Sequence, residues 1–264
     1  MLKSSIKFVE QHPKLDTPAG NITTDNTESF LDGLRIGKNN LQNCFYTKIL
    51  HLTHQERFGF PGQKLLTGYG IISKISSNSI PLSLNQGGWQ AIVDQLKNDI
   101  SLGLEQAYGI GLYIYVNPNF RGQGIAGKLI QAMKEFCINS KINTLYIPLL
   151  LPSSKSKEHF NSNIEDYYNL TRNDGQYKDF WLRLHARNNA EIIRTDSRSH
   201  RFCADERILH SLCQNQPNLE VHQNKSDYLV KAQSNHYFFK NLQGSDIYIC
   251  DIPCVWVKYQ VNQA

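Results

Sequence analysis

The sequence predicts an α/β fold in which helices flank a mixed central β-sheet. An apolar strand at residues 111–116 runs through a glycine-containing turn directly into an amphipathic helix. Two further strand-like runs, residues 144–151 and 191–194, are separated by a helical segment at residues 179–190. A strand, turn, helix, strand, helix, strand order is typical of helices packed on a sheet that contains parallel pairs.

The N-terminal part is less regular. Residues 1–40 are rich in Asn, Thr, Ser and Lys with little periodicity, which predicts a loosely ordered or peripheral extension. We expect a helix within residues 41–60, a strand at 65–75, helical spacing at 89–96 and a strand at 105–116.

The helix after the turn has the clearest pattern. One apolar stripe recurs with the helical period and is expected to pack on the sheet; it consists of Ile125, Leu129, Ile130, Met133, Phe136 and Cys137. The predicted core domain covers residues 41–204. A C-terminal extension, residues 205–264, adds short strands at 228–230, 236–239 and 247–258, and Pro253 is expected to confine the last of these to a sheet edge.

The turn itself predicts an anion site. The first N–H groups of a helix have no internal partner and lie at the positive end of the helix dipole. Small residues let an anion approach them, and two cations stand beside them. The predicted diphosphate-binding residues are Val116, Arg121, Gly122, Gln123, Gly124, Ile125, Ala126, Gly127 and Lys128.

Two other interpretations of the turn are open. A tight strand-to-helix connection can bind nothing, although the strand, the proline and the arginine around this one favour a ligand. Gly122, Gly124 and Gly127 also fit the spacing of a dinucleotide-binding fingerprint. That fingerprint needs an acidic residue about twenty positions later, and none stands near position 147.

The turn resembles the acyl-CoA signature of the GNAT (Gcn5-related N-acetyltransferase) superfamily, Arg/Gln-x-x-Gly-x-Gly/Ala, which Arg121, Gly124 and Ala126 match. The resemblance, over about residues 60–200, implies a GNAT-like mixed sheet and acetyl-CoA or another acyl-CoA as cosubstrate, with its diphosphate at the helix N-terminus. It implies no metal.

A second motif resembles a GNAT subgroup that includes the GNAT-like loading domains of polyketide synthases. The segment from Trp181 to His185, followed by Asn189-Ala190, is similar to the subgroup's histidine helix, with Asn189 in place of the usual glycine. The preceding strand keeps a proline, a serine and a lysine, but Leu151 replaces the subgroup's arginine.

Three residues are candidate catalytic groups. His185 aligns with the tyrosine that protonates the leaving thiolate in many GNAT enzymes, and an imidazole that titrates near neutrality can act as acid or base. The subgroup's decarboxylating His and Thr/Ser pair carries over to His185 and Ser153. Glu105, just before the central strand, is a candidate general base acting through water. A hydrogen-bonded core histidine, a turn serine and a surface acid are the alternatives.

Composition limits the partners. A net charge of +5 and a pI near 8.8 favour acidic ligands or an acidic carrier protein, while the dispersed basic residues indicate no nucleic-acid surface. No apolar stretch or leader suggests a membrane, so a cytoplasmic location is expected. Six scattered cysteines favour reduced thiols. His200, Cys203, His210 and Cys213 have spacing that a zinc site could use, but ordinary packing explains it better.

Three functions remain open. The favoured one is transfer of an acetyl or other short acyl group from CoA to an amine. The first alternative is malonyl decarboxylation and S-acyl transfer to a carrier-protein thiol. Leu151 weakens this alternative because it replaces the arginine that could pair with a malonyl carboxylate. The second is a non-catalytic acyl-CoA-binding module. The expected acceptor is a small molecule or a carrier protein.

Overall fold

The structure is a computed structural model of the chain. It describes residues 4–10, 48–55, 64–76, 92, 95, 105–116, 118–151, 163–207, 209–210, 219–224, 226–232, 235–243 and 245–261.

The described residues form one mixed sheet with helices against it, which confirms the predicted fold class. The strands lie in the order β1-β2-β3-β4-β5-β10-β9-β8-β7, and β6 pairs with β10 outside this path. The β4–β5 pair is parallel, whereas the other pairs between these strands are antiparallel. The strands are β1 (Ser4–Glu10), β2 (Lys48–Gln55), β3 (Lys64–Ser76), β4 (Gln106–Val116), β5 (Thr144–Leu150), β6 (Glu191–Asp205), β7 (Leu219–Asn224), β8 (Asp227–Ala232), β9 (Asn235–Asn241) and β10 (Ile247–Gln260).

Three helices are bounded within the described residues: α1 (Ile125–Asn139), α2 (Ile164–Tyr168) and α3 (Phe180–Arg187). The predicted helices after the turn and at residues 179–190 are therefore confirmed, as are the strands at 65–75, 105–116 and 144–151. Of the helical segment expected at 89–96, Ile92 and Gln95 are described and both are helical.

The helix expected within residues 41–60 is wrong. Lys48–Gln55 is strand β2, which pairs with β1 on one side and β3 on the other. From Leu50 to Thr53 apolar and polar residues alternate, which is the two-residue period of a half-buried strand. Pairing along both edges of the segment overrides the weak helical spacing around it.

The edge position expected from Pro253 is also wrong. Strand β10 lies inside the sheet, between β5 and β6. The β6–β10 register shifts between Ile252 and Cys254, so the proline sits at an irregularity of the ladder, where a residue without an N–H is tolerated.

Helix α1 packs closely on the sheet because β3 and β4 carry glycines beneath it. A Cβ atom at Gly68 would lie 3.0 Å from Ile125 Cγ2, and one at Gly70 would lie 2.9 Å from Met133 Cε. On β4, a Cβ at Gly109 would overlap Cys137 Sγ. Because these glycines have no side chains, α1 packs directly on the strand backbones, and this close contact fixes the position of its N-terminus on the sheet.

We expect Gly109→Ala to lower the free energy of unfolding by about 1–3 kcal/mol, because the new methyl group overpacks the contact with Cys137. The matched control is Gly127→Ala, where an added Cβ meets nothing within 4 Å. That change should be neutral or stabilise the helix by up to about 1 kcal/mol. Urea unfolding of both variants checks the difference; equal stabilities would contradict the close packing.

The parallel strands β4 and β5 separate toward their C-terminal ends. Their register contains two pairs, Gly109 with Leu145 and Ile110 with Tyr146, although the strands have 11 and 7 residues. Beyond these pairs the strands no longer share a ladder, which leaves an opening in the sheet. The turn that leads into α1 follows β4 at the open end.

Candidate functional site

The turn between β4 and α1 has a backbone that suits glycine. A 3₁₀ turn (Pro118–Phe120) leads to Gly122 and Gly124, with φ angles of 80° and 74°. Both lie in the left-handed region, where glycine avoids the steric cost that other residues pay. A Cβ atom at Gly122, Gly124 or Gly127 would meet nothing within 4 Å. The space in front of the turn is therefore open to a ligand.

The N-terminus of α1 lacks a side-chain cap within the part of the chain that the structure describes. Gly124 is the N-cap and makes no side-chain cap hydrogen bond. The first backbone bond of the helix runs from Lys128 N to Gly124 O, at 3.1 Å, so the amides of residues 125–127 precede the helical ladder. The first turn also carries no acidic residue, although acids are favoured there in most helices. This helix end therefore presents the positive end of its dipole with no acidic side chain in its first turn.

The other predicted diphosphate-binding residues surround the same helix end. Arg121, Gln123 and Lys128 are exposed, and Ala126 is half-buried. Ile125 is 6% exposed and packs against the Gly68 backbone, which anchors the helix start on β3. Val116 ends β4 and is half-buried. The structure thus brings the whole predicted set together around one open helix N-terminus.

His185 lies in the last turn of α3, which has a well-defined geometry at both ends. The N-cap Asp179 accepts hydrogen bonds from Trp181 N at 2.8 Å and Leu182 N at 3.1 Å. At the C-terminus, Ala190 N donates to His185 O and Asn189 N donates to Ala186 O, which together form a Schellman motif.

The C-terminal motif explains a departure from the subgroup pattern. Asn189 has a φ angle of 64°, in the left-handed region that favours glycine but that asparagine also tolerates. Asparagine therefore replaces the usual glycine here without loss of the helix end.

The side chain of His185 is buried beside Tyr259. It is 1% exposed, and its Nδ1 lies 2.6 Å from the Tyr259 hydroxyl oxygen. The other ring nitrogen, Nε2, is buried, and no described residue forms a hydrogen bond with it. Tyr259 pairs with Leu145 across the β5–β10 ladder, and Leu145 in turn pairs with Gly109. His185 therefore lies level with the closed end of the β4–β5 opening.

Lys134 completes this buried group. Its ammonium lies 4.4 Å from the centre of the Tyr259 ring, and it donates a hydrogen bond of 2.8 Å to Asn188 O at the end of α3. Lys134 stands ten residues after Gly124 on α1, a distance of about 15 Å along the helix. The turn and the histidine are therefore at opposite ends of the same opening.

The expectation that His185 titrates near neutrality is wrong. Burial, with a smaller contribution from the positive charge of Lys134, lowers the pKa of His185 to about 3. Burial also raises the pKa of Tyr259. At physiological pH the pair is therefore a neutral imidazole bonded to a neutral phenol, and His185 cannot act as an imidazolium acid.

This low pKa predicts a pH dependence of stability. An unfolded histidine has a pKa of about 6.5, so the unfolded state takes up a proton before the folded state does. The stability that neutral His185 contributes is present above pH ~6.5 and is lost as the pH falls toward 3, at up to about 1.4 kcal/mol per pH unit. We measure the free energy of unfolding in urea between pH 7 and pH 4. It should fall less steeply with falling pH in His185→Gln than in the unchanged protein.

The control for that experiment is His210→Gln, because the His210 side chain is 59% exposed. This variant should keep the slope of the unchanged protein. Equal slopes for all three proteins would contradict a buried neutral His185.

Of the other two catalytic candidates, one lies far from the turn and the other lies outside the described residues. Glu105 is exposed and precedes the start of β4; eleven strand residues, about 36 Å, separate it from the turn. Ser153 lies outside the described residues. Both roles stay predictions.

Sequence reasoning missed Tyr259 and Lys134. Tyr259 stands 74 positions after His185 and belongs to a strand whose pairing with β5 no local pattern reveals. Lys134 occupies an ordinary polar position of an amphipathic helix. The one available signal was the tyrosine within the alternating apolar run at residues 255–261.

Other expectations concern cysteines, metals and membranes. Cys137, Cys203, Cys250 and Cys254 are free thiols, whereas Cys44 and Cys213 lie outside the described residues. Within the described ranges, no cluster of three or more His, Cys, Asp or Glu side chains is arranged to hold a metal ion. No described helix is long and apolar enough to cross a membrane.

Comparison with known proteins confirms the resemblance to the GNAT superfamily. Residues 91–156, which include the turn and α1, match the acetyltransferase (GNAT) family. No characterised protein sequence matches the chain.

Similar solved structures include the loading GNATL domain of CurA from Lyngbya majuscula, with 11% identity, a TM-score of 0.49, and coverage of 97% of this chain and 98% of that one. The GphF GNAT-like decarboxylase in complex with isobutyryl-CoA has 11% identity, a TM-score of 0.49 and coverage of 98% and 100%. The IAA acetyltransferase from Bacillus cereus has 9% identity, a TM-score of 0.42 and coverage of 98% and 99%.

Proposed function

We propose that the protein transfers an acetyl or other short acyl group from CoA to an amine acceptor. The observation that carries the proposal is the open, uncapped N-terminus of α1, with left-handed glycines before it and Arg121 and Lys128 beside it. Backbone amides and a helix dipole of this kind bind phosphate groups. The family match at the same segment supports a CoA diphosphate as the occupant.

The β4–β5 opening suits the rest of such a cosubstrate. It begins at the turn and closes near Gly109 and Leu145, level with His185. An extended pantetheine arm is comparable in length with the ~15 Å of α1 between Gly124 and Lys134. With the diphosphate at the turn, the thioester would lie toward the closed end of the opening.

We assign His185 the role of a neutral hydrogen-bond donor. If the Tyr259 hydroxyl donates its proton to His185 Nδ1, the imidazole proton resides on Nε2, the nitrogen that has no partner. A neutral imidazole can stabilise negative charge as it develops on a reacting carbonyl or thiolate, as in other enzymes whose histidine pKa is depressed.

The reaction then needs no charged histidine. The acceptor's ammonium group loses a proton to water, and the neutral amine nitrogen attacks the thioester carbonyl carbon. The C–S bond breaks, the nitrogen releases its second proton, and the departing thiolate takes up one proton to become free CoA thiol. His185 would stabilise the negative charge during C–S cleavage.

The structure favours amine acylation over decarboxylation of a malonyl group. Leu151, which replaces the subgroup's arginine, is 2% exposed and packs in the main core. An apolar side chain there offers no cation for a malonyl carboxylate.

Mass spectrometry of acetyl-CoA and malonyl-CoA, each incubated with the protein and with amine or carrier-protein acceptors, tests the proposal. We expect loss of the acetyl thioester and an acylated amine. Carbon dioxide release with an acylated carrier thiol would instead establish the decarboxylating reaction. CoA binding without any turnover across the acceptors would leave a binding module.

A further inference from the structure

The opposite face of the sheet from α1 carries buried polar groups that the proposed chemistry does not use. Trp256, on β10, is fully buried, and its indole N–H has no hydrogen-bond partner among the described residues. Asp196, on β6, is 8% exposed; its Oδ1 accepts a hydrogen bond of 2.8 Å from Arg198 N, but its buried Oδ2 has no partner. A buried donor and a buried acceptor are thus left unsatisfied, which is costly unless another molecule completes them.

Strand register places these groups near one another. Cys254 pairs with Asp196, and Trp256 pairs with Arg194 in the next row of the same face. Diagonal neighbours in an antiparallel pair are about 7–8 Å apart.

The surroundings of Cys254 support this arrangement. Burial raises the pKa of its thiol to about 12; a Ser199 hydrogen bond lowers it, Asp196 raises it and Arg194 lowers it. The charges of Asp196 and Arg194 therefore both lie close enough to Cys254 to change the pKa of its thiol.

We propose that Asp196, Trp256 and Arg194 bind the head group of an α-amino acid that serves as the acyl acceptor, an inference that rests on the proposed amine acyltransferase function. Asp196 Oδ2 accepts a hydrogen bond from the α-ammonium group. The Trp256 indole donates to the carboxylate, and the positive charge of Arg194 favours that anion. A simple amine would leave the indole donor unsatisfied, and a simple carboxylate would face Asp196.

The position of the head group relative to the opening indicates which nitrogen reacts. Asp196, Cys254 and Leu150 form one row across β6, β10 and β5, and two strand spacings amount to about 10 Å. An α-amine held at Asp196 is therefore too far from the opening to attack a thioester there. A terminal side-chain amine, such as that of lysine, spans a distance of this order, so the reacting nitrogen belongs to the side chain.

Protein labelled with ¹⁵N at tryptophan provides a direct test. The indole resonance of Trp256, one of three tryptophans, is identified with Trp256→Phe. We expect L-lysine and L-norleucine to shift it, whereas cadaverine, which lacks the carboxylate, and 6-aminohexanoate, which lacks the α-ammonium group, should not. A shift with cadaverine alone, or no shift with norleucine, would overturn the inference.

Turnover separates this inference from the proposed function. Lysine should be acylated and norleucine should not, although both bind. A norleucine shift without any acyl transfer from acetyl-CoA would leave the head-group site in place and refute the transferase.

Asp196→Asn separates a binding role from a structural one. The asparagine Oδ1 can still accept from Arg198 N, so the melting temperature without ligand should be unchanged or higher. The KM for lysine should rise about 10- to 100-fold, the effect of losing a charged hydrogen bond, with the KM for acetyl-CoA unchanged. A lowered melting temperature with an unchanged KM for lysine would overturn the inference. Asp205→Asn, on the same strand, is the control and should change neither KM.

Discussion

Replacing Gly124 with asparagine is expected to weaken CoA binding about 10- to 100-fold while leaving the fold intact. Asparagine tolerates the left-handed backbone at this position, where φ is 74°. Its side chain would occupy the space in front of the first-turn amides, where an added Cβ meets nothing within 4 Å, and would hinder the approach of the diphosphate. The ligand would lose charge-assisted hydrogen bonds worth about 1.5–3 kcal/mol, which calorimetric titration with CoA measures.

The matched control is Gly175→Asn. Gly175 has nearly the same backbone, with φ of 75°, and an added Cβ there also meets nothing within 4 Å. It lies in the connection between α2 and α3, away from α1. This variant should bind CoA as the unchanged protein does. An equal loss in both variants, or none in Gly124→Asn, would show that the turn does not hold the diphosphate.

Replacing His185 with phenylalanine is expected to lower kcat for acyl transfer about 100- to 10,000-fold, the range associated with loss of a group that handles protons or charge in the transition state. The KM for acetyl-CoA should change little, because His185 lies about 15 Å along α1 from the diphosphate-binding turn. Steady-state kinetics with a reactive amine separate the two parameters.

Tyr259→Phe tests the orienting hydrogen bond. It keeps the ring against Lys134 but removes the hydroxyl that bonds His185 Nδ1, so a smaller fall in kcat, about tenfold, is expected. Tyr228→Phe, another fully buried tyrosine in the C-terminal strands, is the control and should keep full kcat. If His185→Phe folds, binds CoA and retains its kcat, the histidine is a core residue.

Local sequence patterns predicted the strand and the helix on either side of the turn, because the apolar residues of each element recur with the period of that element. Every residue of the predicted apolar stripe between Ile125 and Cys137 is buried, and the glycines before the helix have left-handed backbone. The sequence did not predict strand β2. Its short alternating pattern forms a strand because β1 and β3 pair with it on both sides, and local sequence does not reveal those partners.

The chemistry at His185 could not be predicted in the same way. The histidine was identified through resemblance, but its pKa depends on burial beneath residues that include Tyr259 and on the charge of Lys134, and both come from distant parts of the chain. Pro253 shows the same limit, since a register shift that depends on β6 lets a proline occupy an interior strand. Long-range pairing decides both outcomes.

The central claim is that the main-chain amides at the start of α1 hold a CoA diphosphate. A crystal structure of the protein with bound CoA tests it most directly. We expect diphosphate oxygens at hydrogen-bond distance, about 2.7–3.2 Å, from the amide nitrogens of residues 125–127, with the pantetheine arm between β4 and β5. CoA bound with its diphosphate elsewhere on the protein would contradict the account.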